Sequence, residues 1–205
     1  MNSSPAKSPA FTLIELLVTV AIIAILAAIA IPNLLQAQVR SKVSRAKADL
    51  RTVVTALETY RVDNNQYPTY HYDGTALAFH IGGQVTGFGA SPPFNGPNPI
   101  TSPISYITQM PQDPFLAERG GDRKETEYLY VNWDYALARA VDSANRFAQF
   151  SQMRRVYGPY RLHSRGPDGE GPDSGMPYDP TNGTVSPGDI TYGPNAGYDK
   201  LAPLP

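Results

Sequence analysis

The feature that most constrains this chain is an apolar run from Phe11 to Ile31 that holds a single carboxylate, Glu15, near its start. About 20 apolar residues rising about 1.5 Å each cross the hydrocarbon core of a bilayer, so the run predicts a transmembrane helix. An ionised carboxylate inside such a helix costs roughly 2.5–3.5 kcal/mol on insertion scales and is seldom placed there without a partner. Glu15 therefore calls for a cation. An ordinary single-span anchor and a secretory signal peptide are the alternatives, the latter with Ala28-Ile29-Ala30 as a small-residue cleavage site. The run is longer than a typical signal h-region, and Pro32 follows that site too closely.

The segment Ala10-Phe11-Thr12-Leu13-Ile14-Glu15 resembles the processing site of type IV pilins and the related pseudopilins. The resemblance implies that a prepilin peptidase, acting from the cytoplasmic side, cuts between Ala10 and Phe11 and methylates the new amine. Ala10 stands where the family usually has Gly, another small residue. The α-amino group so created, with a reference pKa of about 8, would be expected to neutralise Glu15 of a neighbouring subunit and so set the register of assembly. Phe11, Glu15 and Pro32 are the expected assembly residues. One signal runs against this orientation. Arg40, Lys42, Arg45 and Lys47 follow the apolar run and only Lys7 precedes it, so the positive-inside rule alone would leave the C-terminal part in the cytoplasm.

Beyond Pro32, the residues Val39, Val43, Ala46, Leu50, Val53, Leu57 and Tyr60 recur in steps of four and three, which predicts an amphipathic helix packed by one stripe against its own sheet. Pro32 lacks an N–H and clashes with the preceding turn, so it is expected to kink or loosen the helix. The helix should stop near Asp63-Asn64-Asn65, whose side chains compete for backbone hydrogen bonds, before Tyr67-Pro68 forces extended backbone. The phrase from Tyr60 to Pro68 resembles the helix exit of the major pseudopilin of type II secretion, and Tyr106 to Phe115 resembles its Tyr-Ile…Pro-x-Asp-Pro-aromatic segment. Residues 70–103, rich in Gly, Pro, Ser and Asn, read as a long variable loop. Strands are expected at Tyr128–Trp133 and Tyr157–His163, in a small antiparallel sheet. Between them residues 136–150 predict an inserted helix with Ala138, Val141, Phe147 and Phe150 available for an apolar face.

From Ser164 to Ile190 oxygen donors are dense among Gly and Pro, as a Ca²⁺ ion requires of a loop that supplies six to eight oxygens. The Ser-x-Gly-Pro-Asp-Gly start and Gly-Asp-Ile end resemble the calcium loop of the major pseudopilin, which implies Asp168 and Asp189 as ligands, with Asp173 and Asp179 as further candidates. The competing reading is a set of turns with solvated aspartates. His71, His80 and His163 are scattered and expected in loops or at the surface, and carboxylate-rich loops suit hard cations better than transition metals.

With 17 basic and 18 acidic residues, nothing recommends nucleic acid as a partner, and the absence of Cys leaves the compartment open. The chain shows no nucleophile elbow, phosphate loop or metal-binding His pair, so no enzyme is expected. The expectation is an α+β chain with a type IV pilin fold: leader 1–10, filament-core helix 11–31, amphipathic helix 32–62 and a head of 63–205. By resemblance it is a pseudopilus subunit of type II secretion, in the bacterial inner membrane with its head in the periplasm. Its partners would be its own copies, membrane lipid, the peptidase, the inner-membrane assembly machinery and minor pseudopilins. A type IV pilus subunit or a membrane-anchored binding protein are the alternatives.

Overall fold

The computed structural model describes residues 11–69, 99–116, 128–139, 144–169, 178–179, 181 and 188–198. Its elements in chain order are α1 (Leu13–Asn64), β1 (Leu129–Asn132), α2 (Trp133–Arg139), α3 (Ala144–Tyr157), β2 (Tyr160–Ser164), β3 (Ile190–Gly193) and β4 (Gly197–Tyr198). Two compact units divide between Gln38 and Val39, and α1 contributes its first half to one and its second half to the other. The expected architecture holds: a long N-terminal helix, and a small antiparallel sheet in the order β1-β2-β3-β4.

In the first unit the large apolar side chains from Leu13 to Leu35 are exposed, and the most apolar window, with a mean hydropathy of 2.9, buries none of its residues. Pro32 does not interrupt α1, which is helical on both sides of it; the Asn33 amide donates to the Ile29 carbonyl at 3.1 Å.

The second unit holds the core. Val43, Ala46, Leu50, Val53, Ala56 and Leu57 form the buried stripe of α1, as the spacing predicts, and belong to one cluster with residues of the sheet. Register pairs Tyr130 with Leu162 and Leu162 with Tyr192, so alternation places Tyr128, Tyr130, Tyr160, Leu162 and Tyr192 on one face. That face is tied to α1 by phenols: Tyr128 Oη donates to Asp49 at 3.0 Å, Tyr160 Oη to Glu58 at 3.0 Å, and Tyr198 Oη to the Lys47 carbonyl at 3.3 Å. Burial, reinforced by Asp49 and Glu58, pushes the Tyr128 and Tyr160 phenols far above their usual range, so both stay protonated donors.

The helix ends where its side chains predict. Asn65 has φ +55°, the left-handed conformation of a helix stop, and the Asn64 amide donates to the Tyr60 carbonyl at 2.9 Å. The two segments resembling the pseudopilin meet here: Tyr106 Oη donates to Asp63 at 2.9 Å, and its ring stands edge-on to Tyr60 at 5.5 Å. Residues 70–98 of the expected variable loop lie outside the described residues; its last part turns back, and Ile100 is fully buried.

Several expectations need correction. The expected single inserted helix 136–150 holds two helices, α2 and α3, and its apolar face is only partly as expected: Phe150 is buried, Ala138 and Phe147 are exposed, Ala136 is buried in their place, and Val141 is outside the described residues. Asn132 is the reason β1 stops early. Its side chain accepts from the Tyr135 N–H at 3.0 Å, capping α2, while its amide reaches the Pro68 carbonyl at 3.1 Å. The second strand starts at Tyr160 and not Tyr157, because α3 runs to Tyr157 and Gly158, at φ +92°, terminates it before Pro159. Strands β3 and β4 were not expected at all. His163 is no surface residue: it lies in β2, 2% exposed, while His71 and His80 lie outside the described residues.

Candidate functional site

Two places carry the residues singled out by the sequence. The first is the start of α1. Thr12 precedes the helix and its carbonyl accepts the first helical bond, from Leu16 N–H at 3.3 Å. Its N–H and its hydroxyl both donate to the Glu15 carboxylate, at 2.9 and 2.6 Å, while Glu15 N–H approaches the hydroxyl at 3.4 Å. This is a capping box, in which the first and fourth residues satisfy each other's orphan donors. The Thr-x-x-Glu spacing announces it in the sequence, and the reading of Glu15 as a partner for a distant amine passed it over. Phe11 is 74% exposed beside it, and Ala10 lies outside the described residues.

The second place is the loop between β2 and β3. Gly166 has φ +67°, and a Cβ there would stand 2.3 Å from the Gly188 carbonyl oxygen, so only glycine lets the two ends of the loop close on each other. A turn follows, closed by Gly169 N–H to the Gly166 carbonyl at 3.2 Å, and it carries Asp168. Asp189 is 4% exposed. Burial pushes its carboxyl up to about 7, opposed by Arg161 and Arg165 and reinforced by the negative charges of Asp168 and Asp113. Asp168 and Asp189 thus lie at the end of the loop where Gly166 meets Gly188.

The other candidates fall elsewhere. Asp179 is exposed and accepts from the N–H and hydroxyl of Thr181 at 2.8 and 2.6 Å, which lowers its pKa and commits it to its own turn. Asp173 lies outside the described residues. Among the described residues no three His, Cys, Asp or Glu side chains converge as a metal group; those of the loop offer the Asp168 and Asp189 carboxylates and backbone carbonyls, oxygen donors of the kind a hard cation takes. His163 Nε2 stands 3.8 Å from Asp189 Oδ2, but burial, aided by Arg161 and Arg165, holds the imidazole well below its usual pKa, so the contact is not an ion pair. Sequence reasoning missed Asp113. It is buried, and its carboxylate accepts from Phe115 N–H at 3.0 Å and Arg165 N–H at 3.1 Å, fastening the Pro-x-Asp-Pro segment to the start of the loop.

Comparison with known proteins bears on the first of these places. The family model for the prokaryotic N-terminal methylation motif matches residues 6–31, and that for type II secretion system protein G matches residues 33–86. The type II secretion system core protein G of Aeromonas hydrophila is 31% identical over 114 residues, 53% of this chain and 68% of the relative. Its counterpart from Escherichia coli (strain K12) is 28% identical over 171 residues, 80% of this chain and 85% of the relative. The type IV wide pilus major component PilA4 of Thermus thermophilus is 54% identical over 57 residues, 28% of this chain and 44% of the relative. No solved structure matches. Similarity to the Aeromonas protein extends over 114 residues where similarity to the Thermus pilin spans 57, and the chain belongs to the type II secretion system core protein G family.

Proposed function

We propose that this chain is a structural, non-catalytic subunit of a type II secretion pseudopilus, inserted in the bacterial inner membrane with its head in the periplasm. The observation that carries this reading is the first half of α1, a membrane-length helix whose apolar side chains are exposed and whose lone acid sits at the end where cleavage would free an amine. Prepilin peptidase would cut after Ala10 and methylate Phe11. Copies would then leave lipid for a bundle of their own helices, with Glu15 released from Thr12 to meet the amine of the neighbouring subunit. The assembly machinery and the minor pseudopilins would be the other partners.

Asp168 and Asp189 would hold a Ca²⁺ ion with loop carbonyls. The ion would add positive charge beside the buried Asp189, beyond what Arg161 and Arg165 supply, and clamp the loop where Gly166 meets Gly188. The residues fit that role because Asp189 carries a raised pKa reinforced by Asp168, the situation a cation relieves.

The test is the intact mass and first residue of the membrane-extracted protein. A methylated Phe11 start is expected. An intact Met1 would mean a plain anchor, and an Ile31 start a released domain that cannot polymerise through this helix. The Thermus pilin similarity favours a surface pilus as second reading; long extracellular filaments in electron micrographs, absent when the chain is deleted, would establish it.

A further inference from the structure

The twelve residues from Arg40 to Arg51 hold five cations, Arg40, Lys42, Arg45, Lys47 and Arg51, against one acid, Asp49. The chain as a whole has net charge −1, which leaves 12 basic and 17 acidic residues elsewhere. The collar is therefore a positive island on an otherwise acidic protein. Its single acid is shared, since Asp49 accepts from Tyr128 Oη at 3.0 Å and approaches Arg45 at 3.7 Å.

The fold fixes where these charges stand. Val43, Ala46 and Leu50 turn inward, and at about 100° per residue this throws Arg40, Lys47 and Arg51 to one flank of the helix and Lys42 and Arg45 to the other. Arg40, Arg45 and Arg51 are exposed. Lys47 Nζ and the Arg51 guanidinium lie 5.8 and 5.6 Å from the Tyr198 ring centroid, so a β4 tyrosine supports two of the stems.

We propose that this collar binds the anionic phospholipid headgroups of the membrane that the apolar half of α1 enters; the proposal rests on that half spanning a bilayer. Arg40 follows Leu35, the last large side chain of the exposed apolar run, by five residues, about 7.5 Å of helix, and a headgroup layer is about 5–8 Å thick. Arg40 falls at headgroup depth, and Lys42, Arg45 and Lys47 follow at about 10.5, 15 and 18 Å from Leu35, on the water side where a polybasic segment is attracted to an anionic surface. This accounts for the cations that oppose the positive-inside pattern: they are held at the leaflet they reach. A second copy of the chain is the less suited occupant. Its described acids are dispersed and engaged, Glu58 with tyrosines, Asp63 with Tyr106 and Asp134 with Arg154, and Asp113 is buried.

The chain has no Cys, so Ser44→Cys gives the full-length protein one labelling site, on an exposed position within the collar. The labelled protein is reconstituted in phosphatidylcholine vesicles containing a minority of phosphatidylglycerol, and energy transfer is measured to a trace of headgroup-labelled lipid of either kind. Transfer to phosphatidylglycerol should exceed transfer to phosphatidylcholine by roughly threefold or more. It should fall to parity at about 0.5 M salt, where the Debye length is roughly 4 Å, and in a variant with Arg40, Lys42, Arg45 and Lys47 all replaced by Gln. Parity at low salt, or a preference that survives neutralisation, overturns the proposal. So does transfer between labelled copies that is lost in the variant while the lipid preference stays. Resistance to alkaline extraction is scored separately. A chain that is extracted yet floats only with anionic vesicles keeps the collar and rejects the spanning helix, and one that floats with neither rejects both.

Discussion

The two halves of α1 are one helix built for opposite surroundings. Up to Gln38 its large apolar side chains face outward in every direction; from Val39 its apolar residues narrow to a stripe and the rest of the surface becomes charged or hydroxylic. Backbone hydrogen bonding is the same in both, so secondary structure does not distinguish them. What differs is the breadth of the apolar face. A helix apolar all round needs lipid or other helices on all sides, whereas a stripe is satisfied by one sheet. Membership of a filament and membership of a folded head are thus written in the same periodicity, read at two widths.

That comparison can be broken at either half. The largest effect expected is from Glu15→Val, which should leave membrane insertion intact and abolish filament growth; a polymer yield equal to that of the unaltered chain would remove the pairing of Glu15 with a neighbouring amine. Leu50→Ala, at a fully buried position, should destabilise the head by about 2–5 kcal/mol, while Leu26→Ala, 61% exposed, should leave its thermal transition unchanged. Equal effects at the two positions would deny that the halves are separate units.

Within the head, Asp168→Ala combined with Asp189→Ala should lower Tm in Ca²⁺ and not in chelator, the lost stabilisation being about 3–4 kcal/mol at calcium 100 to 1,000 times its Kd. Identical shifts in both buffers would reject the ion. The pH dependence has a defined sign. The Asp189 carboxyl titrates at about 7 in the folded head and near 4 unfolded, so its protonated form stabilises the metal-free head at low pH, a contribution lost as pH rises toward 7. His163, held below its usual value, acts the other way: its contribution is present above about pH 6.5 and lost as pH falls. Calcium competes with the Asp189 proton, so calorimetric affinity should rise up to about tenfold per unit between pH 5 and 7 and level off above 7. A flat profile would exclude Asp189 as a ligand.

The smallest effect expected is from Tyr160→Phe. Loss of one donor to Glu58, which keeps Tyr67 Oη at 3.1 Å, should cost about 1 kcal/mol in denaturant unfolding. A neutral outcome would mean that the phenol bridges between sheet and helix contribute shape and not energy.

Much of this was legible in the residues alone. The apolar run, the stripe from Val43 to Leu57 and the stop at Asn64 follow from periodicity and turn chemistry, signals carried by residues a few positions apart. The elements misread depended on contacts between distant segments. Asn132 switches strand to helix by capping Tyr135 while holding Pro68; His163 is buried because strand alternation turns it away from the α1 face among Arg161, Asp189 and Thr191; β3 and β4 are too short to announce themselves and exist by pairing with β2. Asp113 looked like part of a motif and proved to be a fastening between two loops. The sequence by itself determined the helix, its two widths and its stop, because helical hydrogen bonds and hydrophobic spacing are local. Only the tertiary structure decided which polar groups went inside, because a buried carboxylate, amide or imidazole owes its place to partners far along the chain.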